Sequence, residues 1–365
     1  MPQRSPTESL RAEVEAVLAE RLIPSLSLHI RTDNTRAFHY TSGMARLDPP
    51  QPAATDQPYD LASLTKALVA STVAASLIEA GDLTLDMKVN DVLPSVDPRI
   101  TLAQLLTHSS GLPKWNAFYT SAQGAWGTKR ARDLIVQGAL NTECVATPGA
   151  RHTYTDVGFL VLLALLERVG ARRLDALFAD LICAPADAHD LSWGWPESAA
   201  TELCPVRGTL IQGTVHDLNC ASMGGVSSHA GLFGTAQAVA ELSDTLRRAV
   251  ADPTAHPNLP GRTLGELWTL RGPGSHVGGW DTITRGGYTS TGAHFPDDCV
   301  GHLGYTGTSL WLSPSRKTVV VLLSNRGHPV DDLTAIRAAR PRLHDAVARF
   351  LGWTLPTKGA ESTNA

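Results

Sequence analysis

Ser63-Leu64-Thr65-Lys66, Tyr154-Thr155-Asp156 and His302-Leu303-Gly304 are the three stretches whose side chains, brought together, could transfer an acyl group. A serine hydroxyl attacks a carbonyl once a neighbouring base takes its proton. Lys66 follows Ser63 by three residues, so on a helix the two share a face and the amine reaches the hydroxyl. A lysine serves as base only when neutral, which requires its pKa to fall from ~10.4 to about 7, a preference of about 4–5 kcal/mol. Burial on an apolar helix pushes in that direction, and so does the positive end of the helix dipole at Ser63. Tyr154 supplies a phenol whose pKa a nearby ammonium lowers, suited to passing the serine proton to a leaving group. Each motif also has a plainer reading. Ser63 is then a helix N-cap, Lys66 a solvated first-turn residue and Tyr154 a partly buried tyrosine with a satisfied hydroxyl. Asp156 is either a polar wall of the site or, the reading favoured here, the N-cap of the helix that follows.

The third motif occurs twice, because His229-Ala230-Gly231 has the same pattern. The first copy leads into an amphipathic helix. The second opens the strand-like run Tyr305 to Leu312, and only a strand bordering a cleft offers substrate both a side chain and a backbone N–H. On such a strand His302 and Gly304 share a face and Leu303 takes the other. Glycine at 304 lets substrate lie close against the backbone. The second copy is therefore chosen.

These motifs need elements to hold them. Thr7 to Leu22 has helical spacing, with Thr7 as its cap and Pro24 beyond its end. Ser25 to Arg31 alternates, with Leu26, Leu28 and Ile30 on one face of a half-buried strand, and Arg36 to Met44 is its hairpin partner. Ser63 to Ala80 is apolar nearly all round, as a helix buried on most sides should be. Thr101 to Thr107, Lys129 to Leu140, Asp156 to Val169 and Arg172 to Leu181 read as further helices. A loop-rich stretch from Cys183 to Ser228 precedes a helix at Gly234 to Val250. Strands are predicted at 277–284, 300–312 and 318–324, the last two joined as an antiparallel hairpin, and a helix at 331–350. Strands at both ends and helices between them predict an α+β fold. An antiparallel sheet is assembled from both termini and flanked by helices, with an inserted helical lobe. Residues 1–100 and 225–353 form the sheet-containing region, 101–224 the lobe with a cleft-bordering loop, and 354–365 a polar tail. A ligand belongs in the cleft between sheet and lobe.

The bulk numbers narrow the classes. The chain has 365 residues, 43% hydrophobic and 18% charged, with a net charge of -4. That composition builds a globular core and recommends neither nucleic acid nor a membrane as partner. Cysteines at 144, 183, 204, 220 and 299 form no CxxC pair and are read as buried free thiols. The N-terminal residues show no signal peptide and no run is long enough to span a bilayer, which predicts a cytoplasmic protein. No HExxH or paired HxH is present, so neither a metal nor any other cofactor is expected. Gly272-Pro273-Gly274 lacks the flanking strand and helix of a phosphate loop.

The ordered motifs resemble those of the serine β-lactamase and penicillin-binding-protein superfamily, on its class C and esterase-like side: SxxK, YxN and a K/HxG strand. Leu105-Leu106-Thr107-His108-Ser109-Ser110-Gly111-Leu112-Pro113 is similar to the family's LLTHTSGLP segment. Gly213 to Asp217 and Ser228 to Phe233 resemble a subgroup of β-lactamase-related hydrolases. The likeness runs from about Ser25 to about Leu351. It implies a β-lactamase/transpeptidase-like fold, with Ser63 as acylated nucleophile, Lys66 as its base and Tyr154 as proton shuttle. His302 stands where a lysine or histidine lines the site, and the backbone N–H groups of Ser63 and Tyr305 form an oxyanion hole. Two departures matter. Asp156 replaces the usual Asn and Leu303 replaces a Thr that helps anchor a substrate carboxylate. Both disfavour an anionic ligand such as penicillin.

The expectation is therefore a serine hydrolase of a small ester or amide, with weak or no β-lactamase activity. A catalytically inactive relative that binds a ligand or partner in the same cleft is the alternative, kept open by Asp156. His216, Asp217 and His229 either shape specificity at the cleft or simply bond to the loop backbone.

Overall fold

In the computed structural model, which describes residues 4–329 and 333–353, helix α1 (Pro6–Ala19) opens the chain. Its cap is Ser5 rather than Thr7. The Ser5 hydroxyl accepts the Glu8 N–H at 3.3 Å while the Glu8 carboxylate accepts the Ser5 N–H at 2.8 Å. This reciprocal box satisfies two otherwise orphaned donors, and Thr7 lies inside the helix.

The main sheet has seven strands, β1 (Ser25–Thr32), β2 (Thr35–Arg46), β3 (Gln51–Pro52), β4 (Asp281–Thr282), β5 (Val300–Leu303), β6 (Ser309–Ser313) and β7 (Thr318–Ser324). Their spatial order is β3-β2-β1-β7-β6-β5-β4, and every neighbouring pair is antiparallel. The joint between the two chain ends is β1 against β7, with Leu28 opposite Leu322. This is the antiparallel sheet from both termini that the alternation predicts. The predicted 300–312 strand is broken, however. The Gly304 N–H donates to the Thr308 carbonyl at 2.8 Å, turning the chain back on itself, and Gly307 takes a φ of +98° there. Of 277–284 only Asp281–Thr282 is strand.

Both faces of the sheet are covered. On one, Leu26, Leu28, Ile30, Val320 and Leu322 pack against Leu10, Val14 and Val17 of α1. Ile336, Leu343 and Val347 of α7 (Leu333–Phe350) pack there too. On the other, Val319, Val321 and Leu323 meet Val239, Leu242 and Leu246 of α6 (Ala236–Ala251) and the helices of the middle of the chain. β1 is therefore not half-buried. Ser27 and His29, on its polar face, are as buried as Leu28, because β1 is interior to the sheet and α6 lies over it.

The helix after Ser63 begins at Leu64, runs as a π turn over Lys66–Ser71 and continues as α2 (Thr72–Glu79). All its residues from Leu64 to Ala75 are buried, as its all-round apolarity predicts. α3 (Leu102–Leu106), α4 (Lys129–Leu140) and α5 (Asp156–Val169) follow at the predicted places. Cys204, Cys220 and Cys299 are buried free thiols, whereas Cys144 and Cys183 are only half-buried. No helix of the described residues is long and apolar enough to cross a membrane. The tail 354–365 and the predicted helix start at Asp331 lie outside the described residues.

One polar side chain closes the sheet's end nearest the site. The Asn325 Oδ1 accepts the Ser25 N–H at 3.0 Å and the Ser25 hydroxyl at 2.7 Å, while its amide donates to the Met44 and Ala45 carbonyls at 3.2 and 3.1 Å. Asn325→Ala leaves several of these buried groups unpaired, and each costs about 1–3 kcal/mol. Urea unfolding is expected to show a loss of at least about 3 kcal/mol.

Candidate active site

The chain reaches Ser63 through a strained turn. Ala62 holds a φ of +48°, unusual for a residue with a Cβ, and two buried acceptors keep it there. Asp60 accepts the Ala62 N–H at 2.8 Å, and the Ala62 carbonyl accepts the Thr65 hydroxyl at 2.7 Å. Asp60 also accepts the His216 N–H at 2.7 Å, tying the nucleophile turn to the 213–217 loop. The turn between β5 and β6 is stitched to the same segment. Thr306 donates to the Asp60 carbonyl at 2.7 Å and Thr308 to the Leu61 carbonyl at 3.1 Å. Tyr305 is thereby held beside Ser63. Its half-exposed ring lies under the Arg326 guanidinium, 4.3 Å away.

Gly304 has a different purpose from the one its place in the motif suggests. A Cβ there would overlap the Thr308 Oγ1 and stand 2.8 Å from the Leu61 carbonyl oxygen. The glycine admits the nucleophile segment, not the substrate, against the hairpin.

Ser63, Tyr154, Asp156, His302, Gly304 and Tyr305 line one cavity of about 750 Å³, with Lys66 directly behind it. Lys66 is completely buried, and its Nζ lies 2.9 Å from Ser63 Oγ, 2.6 Å from Asp156 Oδ1 and 3.2 Å from the His229 carbonyl. Here the sequence expectation is corrected. Burial does work against the lysine's charge, but the Asp156 carboxylate, aided by Tyr154, outweighs it and holds the amine above its usual range. The resting lysine is an ammonium. The Tyr154 hydroxyl lies within reach of both Lys66 and Ser63, yet its pKa is also raised, because burial exceeds the help from the ammonium.

Asp156 is free to do this because it is not the cap. Thr155 caps α5, its hydroxyl accepting the Gly158 N–H at 3.0 Å and donating to the Pro113 carbonyl at 2.6 Å. Asp156 takes the first helical position, where the helix dipole favours a carboxylate. The rejected histidine motif also borders the site. The His229 carbonyl touches Lys66, while its ring joins the Asp217 carboxylate at 2.9 Å and the Ser227 hydroxyl at 2.8 Å. His216 and Asp217 line the cavity as well, with His216 3.3 Å from Glu202.

The roles of Asp60 and Arg340 carry no signature in the sequence, and that of His108 is marked only by its motif. His108 lies within the LLTHSSGLP stretch and anchors the tyrosine loop from both sides. Its carbonyl accepts the Thr153 N–H at 2.8 Å, its Nδ1 the Thr155 N–H at 3.0 Å, and its ring lies 4.5 Å from the Tyr154 ring. Arg340, from α7, donates to the Gly304 and Thr308 carbonyls at 2.7 and 2.8 Å and so clamps the β5–β6 turn.

One ring nitrogen each of His108, His276 and His302 lie within 4.8 Å of one another, all on buried side chains. The donor chemistry decides against a cation there. The Thr155 N–H occupies the His108 Nδ1 lone pair, so the neutral ring carries its proton on Nε2, the nitrogen left for the cluster. A metal needs a lone pair at that point. His302 donates through Nδ1 to the Leu303 carbonyl at 2.8 Å, and burial holds its pKa well below the usual range. A second cavity, of about 630 Å³ between residues 284–297 and Trp353, contains none of the three motifs.

The chain is similar to several known proteins. The family model described as Beta-lactamase matches residues 10–343. An N-acetylmuramyl-L-alanine amidase of Bacillus subtilis (strain 168) is 27% identical over 75% of this chain and 69% of its own length. A putative D-alanyl-D-alanine carboxypeptidase of Escherichia coli (strain K12) is 27% identical over 85% of this chain and 80% of its own. Among solved structures, EstCE1, a hydrolase with promiscuous acyltransferase activity, superposes with a TM-score of 0.72 at 19% identity. It covers 93% of this chain and 99% of its own.

Gly304→Ala is expected to push the β5–β6 turn off Leu61 and displace the Tyr305 N–H. Kcat for an ester should fall by about 10²–10³, the loss typical of one oxyanion donor, while the circular dichroism spectrum is retained.

Proposed function

The chain belongs to the β-lactamase family and is a serine hydrolase of that type; from this we propose that it works through an acyl-enzyme on Ser63, with a small ester or amide as substrate. The Ser63 hydroxyl attacks the substrate carbonyl and its proton leaves through Lys66, which as an ammonium passes one of its own protons to a neighbouring acceptor. The backbone N–H groups of Ser63 and Tyr305 receive the developing oxyanion, and the Tyr154 hydroxyl donates to the leaving group. Water then hydrolyses the acyl-serine by the reverse sequence of proton movements. The observation that carries this reading is the 2.9 Å approach of a completely buried lysine nitrogen to a serine hydroxyl that opens onto a substrate-sized cavity.

Charge on the cavity wall bears on the substrate. Asp60, Asp156, Glu202, Asp217 and Asp281 line it against Lys114 and Arg340, and Leu303 offers no hydroxyl to a carboxylate. An uncharged ester or amide suits this wall better than a penicillin. The amidase and carboxypeptidase named above support the amide arm, and the hydrolase with acyltransferase activity supports the acyl-enzyme.

Intact mass after treatment with an alkyl fluorophosphonate should show one adduct on the wild type and none on Ser63→Ala; no adduct on either would reject the assignment. Lys66→Ala should reduce ester turnover to near background. Short-chain aryl esters should show kcat/KM values far above those for penicillins, and comparable values would remove the argument from Asp156 and Leu303.

A further inference from the structure

An ammonium is a poor base, and Lys66 is built to be one. Its nitrogen lies 2.6 Å from the Asp156 carboxylate, its one charged partner there, beside the Ser63 hydroxyl, the Tyr154 hydroxyl and the His229 carbonyl. Among the groups described, the unprotonated oxygen nearest to that nitrogen belongs to Asp156, 2.6 Å away, and the serine hydroxyl lies 2.9 Å away.

We propose that Asp156 is a catalytic residue, the base of a two-step proton relay in which Lys66 stays an ammonium. This rests on the acyl-enzyme reading given above. As the Ser63 Oγ–carbon bond forms, its proton passes to Lys66 Nζ while a different proton passes from Nζ to the Asp156 carboxylate. When the tetrahedral adduct collapses, the carbon–leaving-group bond breaks. The proton held by Asp156 then returns through Lys66, and Tyr154 delivers one to the departing oxygen or nitrogen. Each pass leaves Lys66 with three protons and Asp156 ionised, so no outside acid or base is consumed. Geometry favours the relay because all three groups are fixed by unrelated elements. Ser63 is held by the strained turn at Ala62, Lys66 by the buried π turn, and Asp156 by the first turn of α5, whose cap is Thr155.

The other titratable groups facing the pair are Tyr154 on the same loop, His108 beyond α3, and His276 and His302 at the sheet edge. Burial keeps all of them uncharged near neutral pH: the histidines are pushed down, His276 to about 4, and the phenol is pushed up. Lys114, Asp217 and Asp281 stand further along the cavity wall. The carboxylate of Asp156 is thus the counter-charge to Lys66 and the acceptor within its reach.

The test follows the rate of Ser63 labelling by the fluorophosphonate, and of turnover of a neutral aryl acetate, across pH 5–10 for the wild type, Asp156→Asn and Asp156→Glu. The wild-type rate is expected to be level from neutral to alkaline pH, because its lysine need not deprotonate. Asp156→Asn removes the group that raises the Lys66 pKa and leaves burial, which lowers it. Its rate at pH 7 is expected to drop about 100-fold, within the range for loss of a general base, and to climb on the alkaline side as the amine becomes neutral. Asp156→Glu, which restores a carboxylate, should recover much of the level profile. An Asp156→Asn enzyme that labels and turns over at the wild-type rate with an unchanged profile would overturn the relay. So would a Glu variant whose profile matches that of the Asn variant. Absence of labelling on the wild type would instead overturn the acyl-enzyme reading itself, which separates the two failures.

Discussion

A single ion pair, the ammonium of Lys66 against the carboxylate of Asp156, sets the terms for the rest of the site. Lys66 has no exposed surface, and a buried charge without a partner destabilises a protein by about 3–5 kcal/mol. Something must therefore bring a negative group to it, and the chain does so by handing the cap of α5 to Thr155 so that the next side chain is free. The pair costs desolvation on both sides, so its presence is no evidence of added stability.

The remaining site is arranged around that constraint by short bonds between segments distant in sequence. The nucleophile turn, the 213–217 loop and the β5–β6 turn all meet at Asp60 and its neighbours, through its carboxylate and through its own and the Leu61 carbonyl. Arg340 reaches from the C-terminal helix to clamp the same turn, and His108 fixes the tyrosine loop from beneath. The consequence is a cavity whose reactive atoms rest on a sheet closed by both ends of the chain. A serine at residue 63 and a turn at residue 305 become neighbours because β1 pairs with β7.

Much of this was legible beforehand where the physics is local. Apolar spacing located α4 and α5 to the residue, and the alternation of Leu26, Leu28 and Ile30 marked the correct face of β1. Spacing of three placed Lys66 on Ser63. What local reasoning missed depends on partners far along the chain. The opposite face of β1 is buried because α6 covers it, and the 300–312 segment turns back because Gly304 must clear Thr308 and Leu61. His276 and Arg340 carry no pattern that would distinguish them from other core or surface residues.

The sequence by itself determined the family, the sheet built from both termini and the pairing of Ser63 with Lys66, because each is encoded in residue type and short-range spacing. Only the tertiary structure decided the protonation of Lys66. Burial and the helix dipole, the two influences visible along the chain, both argue for a neutral amine. The decisive one is a carboxylate ninety residues away, brought to 2.6 Å by the packing of α5 against the buried helix. Electrostatic energy depends on distance in space, and no count of residues supplies that distance.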